Sequence, residues 1–105
     1  MYYVYILRCR RNLLYTGITT DIKRRFGEHL GGKTGAKFTR SNPPDSVEAV
    51  WSCENRSLAS KLEYAVKKLN KRQKLTLISD ITAFSELLGD EFTNKYKREN
   101  TQINL

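Results

Sequence analysis

Histidine occurs once in this 105-residue chain and cysteine twice. One imidazole and two thiols, Cys9 and Cys53, form no CxxC pair and share no metal-ligand spacing, so a structural zinc site is not expected. The thiols read as small buried hydrophobes near strand ends, and a cytosolic setting argues against a disulfide between them. Long apolar runs are missing too. The longest, Val4 to Leu7 with Tyr2 and Tyr3 before it, is too short to span a bilayer or to act as a signal-peptide core. No basic helix carries bulky apolar residues opposite its charges, which argues against a membrane surface as partner. The expectation is an intracellular, cytoplasmic, unprocessed protein without internal repeats. Acids are few: 11 against 19 Lys and Arg, a net charge of +8. Such a surface attracts polyanions, although charge alone does not separate DNA from RNA.

What is present suits one folded domain. Hydrophobic residues make up 39% and charged residues 29% of the chain, a globular balance, and the length allows a single core. Tyr3 to Leu7 form an unbroken aromatic and β-branched run, the pattern of a central strand covered on both faces. Arg10-Arg11-Asn12 reads as a turn and Leu13 to Ile18 as the returning strand of a hairpin, hence antiparallel. Thr20 or Asp21 caps a helix with the stripe Ile22, Phe26 and Leu30, which Gly31-Gly32 stop. A long connection follows, GGKTGAKFTRSNPPD, in which Lys33, Lys37 and Arg40 surround Phe38. Cations beside an exposed ring suit phosphate contact and base stacking; a solvated loop with one anchoring aromatic fits equally.

Val47, Ala49, Trp51 and Cys53 alternate with Glu48, Val50 and Ser52, predicting a third strand with one face in the core. Ser57 starts a second helix with the stripe Leu58, Leu62, Ala65, Val66 and Leu69, closed by the basic run Lys67 to Lys74. Leu75 to Ile81 and Ala83 to Leu88 read as short helices, the latter ended by Gly89. The architecture is α/β (α+β), a small three-stranded antiparallel sheet flanked by helices. Residues 1–90 form the domain, and 91–105 are expected to be a polar, partly disordered tail.

Polar chemistry concentrates after the hairpin. Arg25 and His29, four apart, share one helical face beside the Ile22–Phe26 stripe. Tyr15 precedes Gly17 on the return strand, and Tyr5 lies on its partner. A register bringing Tyr5 near Tyr15 puts both phenols beside Arg25, with Gly17 permitting a close approach by backbone or phosphate. Each residue also has a structural reading. Tyr5 packs in the core, Arg25 pairs with Asp21, His29 caps its helix end, and Glu63 closes a capping box with Ser60. A helix starting at Ser57 keeps Leu58 in the stripe and disfavours that last alternative.

In order and spacing, Tyr3-Val4-Tyr5, Tyr15-Thr16-Gly17, Arg25, His29 and Glu63 in ASKLEYAVKKL resemble the GIY-YIG nuclease superfamily over about Tyr2 to Ile78. The likeness is to small stand-alone bacterial members. The segment from YTGIT to GAKFTR is similar to the catalytic domain of structure-selective resolving nucleases. The resemblance implies Mg²⁺- or Mn²⁺-dependent hydrolysis of DNA phosphodiesters, with Tyr5, Tyr15, Arg25, His29 and Glu63 catalytic. Arg25 would hold the scissile phosphate and Glu63 the single metal. Tyr5 and Tyr15 would position and deprotonate the water, and which phenol is the base stays open. An ordinary phenol, with a pKa of about 10, is a poor base at pH 7, so a neighbouring cation and His29 would have to assist.

Two departures stand out. Tyr3 replaces the glycine of the first motif, and Ile18 is apolar where some relatives place lysine or serine. With only a basic surface to choose a target, cleavage is expected to be weakly sequence-specific, to prefer branched, nicked or single-stranded DNA, or to need a protein partner. Gly17, Lys33, Lys37, Phe38 and Arg40 are the candidate nucleic-acid contacts. The alternatives are a nucleic-acid-binding module with little turnover and a subunit that completes another nuclease.

Overall fold

The computed structural model describes residues 1–32 and 34–101. Strand β1 (Tyr2–Cys9) turns through a 3-10 segment, Arg10–Asn12, into β2 (Leu13–Thr19). Helix α1 (Ile22–Gly31), the short α2 (Lys37–Ser41) and strand β3 (Pro44–Cys53) follow, then helices α3 (Arg56–Lys67), α4 (Lys71–Ser79) and α5 (Ala83–Leu88), and finally strand β4 (Lys97–Glu99). All pairings are antiparallel, in the order β2-β1-β3-β4. No helix among the described residues is long and apolar enough to cross a membrane.

Because strand side chains alternate, β1 feeds two cores. Val4 and Ile6 pack with Ala49, Trp51, Cys53 and the α3 residues Ala59, Leu62 and Val66. Tyr5, Leu7 and Cys9 pack with Ile22 and Phe26 of α1 on the other face. The simple alternation expected of β3 does not hold. Ile6 pairs with Ala49 but Leu7 pairs with Val47, so Glu48 is an extra residue. This β-bulge turns Val47 to the α1 face, where it joins a fully buried Val50, and β3 is covered on both sides. Both cysteines are free and buried.

The helix ends correct the sequence reading in detail. Asp21 accepts from Arg24 N at 3.1 Å and is the cap of α1, which Gly32 terminates at φ 79°. Asn55, two residues ahead of the predicted start at Ser57, caps α3 through Leu58 N at 2.9 Å. The basic run closes α3 with its first two residues, Lys67 and the C-cap Lys68. Asn70 and Gln73 form a reciprocal capping box that starts α4 in its middle.

The sheet also has a fourth strand rather than three. Residues 97–99, in the stretch expected to fray, pair with β3. Their polarity conceals specific partners. Arg98 lies over the Trp51 ring at 5.2 Å and donates to Ile78 O at 2.9 Å, at the open C-terminal end of α4. Ser52 Oγ donates to Glu99 Oε2 at 2.6 Å, and Tyr96 Oη to Leu58 O at 2.6 Å.

Candidate active site

The α1 face of the hairpin holds the aromatic cluster. In register, Tyr5 opposes Gly17 and Leu7 opposes Tyr15, so the two tyrosines are diagonal neighbours with ring centroids 6.3 Å apart. Gly17 is what allows this. A Cβ placed there would stand 2.5 Å from Tyr5 Oη and 2.7 Å from its Cζ. The group that makes the predicted close approach to Gly17 is therefore the phenol of Tyr5.

Tyr5 is 3% exposed and points its hydroxyl at His29 Nε2, 2.8 Å away. His29, also buried, has Nδ1 2.7 Å from Thr39 Oγ1. Thr39 donates its own proton to Ala36 O at 3.0 Å, so its oxygen is left to accept. That ordering assigns every proton: Nδ1–H donates to Thr39, and the Nε2 lone pair accepts from Tyr5. Burial, followed by the nearby Arg25 charge, pushes His29 down to about 4, so the ring is neutral at pH 7 and not a cation capping the helix. Burial raises the Tyr5 phenol, and neighbouring Tyr15 adds to this; Arg25 pulls it back, while the Glu63 charge pushes it further up.

Arg25 Nη1 donates to Glu28 Oε1 and to Thr34 O, each at 2.9 Å. Its ion-pair partner is thus Glu28, not Asp21, and the pair holds the Glu28 carboxyl below its ordinary range. Beside it opens a groove of about 310 Å³ whose lining includes Arg24, Arg25, Arg56, Glu28, Thr19 and Tyr2. Glu63 stands on α3. It is half-buried and paired with Lys67 at 3.3 Å, and its charge is felt at Tyr5. Ser60 does not cap it, since α3 begins upstream at Asn55.

The connection after α1 is ordered around α2, which sends Thr39 inward and leaves Lys37, Phe38 and Arg40 on the surface. Phe38 stacks on Tyr15, with centroids 5.6 Å apart at 23°, and Tyr15 in turn meets His29 edge-on at 5.3 Å. Lys33 lies outside the described residues. Thr39 and Gly35 escaped the sequence reading. A Cβ at Gly35 would meet His29 Cα at 2.9 Å and Thr39 Oγ1 at 3.0 Å, so this glycine lets the connection lie against α1. A glycine between a helix and a short basic segment was the available signal; for Thr39 there was none.

With that geometry in place, comparison with known proteins is decisive. The family described as the GIY-YIG catalytic domain matches residues 1–76. The chain belongs to the GIY-YIG family. Among curated GIY-YIG relatives, the UPF0213 protein YhbQ of Escherichia coli O8 (strain IAI1) is 43% identical over 98 residues, covering 93% of this chain and 97% of the relative. A UPF0213 protein of Vibrio cholerae serotype O1 (strain El Tor Inaba N16961) is 44% identical over 89 residues, 82% of this chain and 85% of that one. The solution NMR structure of the UPF0213 protein BH0048 from Bacillus halodurans is 38% identical, with a TM-score of 0.50 over 89% of this chain and 98% of that one. The GIY-YIG resemblance and the antiparallel α+β fold both hold.

The donor chemistry at the GIY-YIG site fits one hard cation. Among the described residues no three or more His, Cys, Asp and Glu gather to hold a metal. A single carboxylate, with substrate phosphate oxygens and water completing the shell, is an arrangement Mg²⁺ accepts and a structural zinc site does not. Glu63 is the carboxylate that would hold such an ion, and Lys67 would then have to yield its place beside it.

Proposed function

We propose that the chain is a metal-dependent endonuclease that hydrolyses DNA phosphodiesters with low sequence specificity. The single observation that carries the reading is the Tyr5–His29–Thr39 hydrogen-bond chain beside the Arg25 guanidinium. A buried imidazole needs both nitrogens partnered whatever its role; here one partner is a phenol beside a guanidinium, an arrangement able to pass a proton.

In this reading Arg25 binds the scissile phosphate and stabilises the charge that gathers on its oxygens. Tyr15, the less buried phenol, positions the attacking water. The water gives its proton to Tyr5 Oη while the Tyr5 proton passes to His29 Nε2. The oxygen lone pair forms the new P–O bond as the bond to the leaving sugar oxygen breaks; that oxygen takes up a proton from solvent, and the proton held on His29 returns to solvent through Tyr5. A cation held by Glu63 would supply positive charge that polarises the phosphate and steadies the leaving oxygen. Holding a proton on His29 at pH 7 against a pKa of about 4 costs about 4 kcal/mol. A phosphate on Arg25 reduces that cost, because it neutralises a charge that depresses His29. Lys37, Arg40 and Phe38 flank the site and contact the nucleic acid on either side.

Supercoiled, flap and single-stranded DNA incubated with Mg²⁺ or Mn²⁺, with and without chelator, test the proposal. Wild type cleaves only with metal, whereas Arg25→Ala and Glu63→Ala lose at least a hundredfold in rate. Residual activity equal in wild type and Glu63→Ala would exclude the site. Binding without cleavage in every sample would instead favour a nucleic-acid-binding module.

A further inference from the structure

An open groove lies away from the phenols, on the outer side of α3, with a volume of about 430 Å³. Lys61, Tyr64 and Lys68 line it from the helix, and Glu91, Phe92 and Lys95 from the segment that follows α5. Tyr64 is 58% exposed, and Lys68 Nζ stands 4.3 Å from its ring centroid. The groove does not end there. A second depression, about 350 Å³, shares Leu58 and Lys95 with it and continues to Asn55 and Ser57. Between those two, Arg56 lines the groove that contains Arg25. The start of α3 thus lies between the arginines of the candidate active site and the Tyr64 groove, with Glu54 as well as Lys95 lining the second depression. From Arg56 to Tyr64 the helix rises about 12 Å, a distance of a few nucleotides.

We propose that the Lys61–Tyr64–Lys68–Lys95 groove binds single-stranded DNA, as the flank of the strand held at Arg25. Three cations against one carboxylate select a polyanion. An open phenol ring beside them selects one that carries planar bases, since stacking on aromatics is worth much in single strands and unavailable inside a duplex. Glu91 suits an N–H donor on a base edge, such as thymine N3–H, rather than a phosphate, which places the bases on the Phe92 side and the backbone towards the lysines. The identity of the strand as a substrate flank rests on the nuclease reading. The groove itself does not.

Fluorescence anisotropy of labelled (dT)₁₂, in chelator to prevent cleavage, tests the groove directly, with a 12-base-pair duplex as comparison. Tyr64→Ala should weaken (dT)₁₂ binding about tenfold and leave duplex binding unchanged, and Tyr64→Phe should restore it. Lys68→Gln should make the log–log salt dependence shallower by about 0.7. Failure of Glu63→Ala to affect cleavage would overturn the nuclease reading while leaving the groove standing. The groove proposal falls if Tyr64→Ala binds (dT)₁₂ as tightly as wild type, if it weakens duplex and single strand equally, or if wild type does not bind (dT)₁₂.

Discussion

Between pH 7.5 and 5, acidification should destabilise this protein through one side chain. His29 is the sole histidine, so no other side chain ordinarily titrates between pH 5 and 7.5. In the unfolded chain its pKa is the ordinary 6.5; folded, it is lowered to about 4, chiefly by burial and then by Arg25. The unfolded state therefore binds the proton first, and stability that is complete above pH 6.5 is lost as pH falls towards 4. From those two values the loss is about 2 kcal/mol by pH 5 and about 3 kcal/mol by pH 4. Against the roughly 5–15 kcal/mol of a typical domain, that is a large share. Below about pH 4.5, carboxylates such as Glu28, held down by Arg25, add a loss of their own. Urea titrations at pH 7.5, 6 and 5, followed by fluorescence of the single, buried Trp51, measure the slope. His29→Gln should be less stable at neutral pH yet nearly flat across that range. A wild type flat from pH 7.5 to 5, or a variant with the same slope, would refute a neutral, buried His29.

Thr39→Val preserves shape but leaves Nδ1–H of His29 without its acceptor, a buried loss of about 1–3 kcal/mol. The urea midpoint should fall accordingly, and ¹⁵N spectra should lose the single Nδ1–H tautomer; unchanged stability with unchanged ring nitrogens would break the proposed chain. Gly17→Ala, with its Cβ 2.5 Å from Tyr5 Oη, should cost about 1–3 kcal/mol by overpacking and disturb the Tyr5–His29 contact. Gly27→Ala is the opposite case: nothing lies within 4 Å of its Cβ in mid-helix, so it should gain up to about 1 kcal/mol. If the two alanines change the thermal midpoint in the same direction, the role given to Gly17 is wrong.

Much of this was legible beforehand because it is periodic or local. The β1 run, the hairpin, the Ile22–Phe26 face and the start of α3 ahead of Ser60 follow from spacing and caps. The bulge at Glu48 was not, because one inserted residue leaves no mark in an alternating pattern while inverting everything on one side of it. Residues 97–99 were read as tail because their partners are carbonyls and one indole, and neither registers as hydrophobicity. The site divides the same way. Arg25 and His29 were readable as one helical face. Thr39 was not, since its hydroxyl matters only once the connection after α1 has folded back, and nothing near it in sequence announces that.

The phenol at position 5 occupies the volume in which a side chain at position 17 would begin. Neither position is then free to drift alone. Any residue larger than glycine at 17 must displace a ring already wedged beneath α1, and a smaller residue at 5 gives up the hydroxyl. The penalty of Gly17→Ala should largely vanish in a Tyr5→Ala background, a reversal that a double-mutant cycle would register. A library randomised at 17 alone should return glycine almost uniformly, while one randomised at both sites should recover stable folds that have lost the proton path. Shared volume thus binds a structural residue and a chemical one into a single heritable unit.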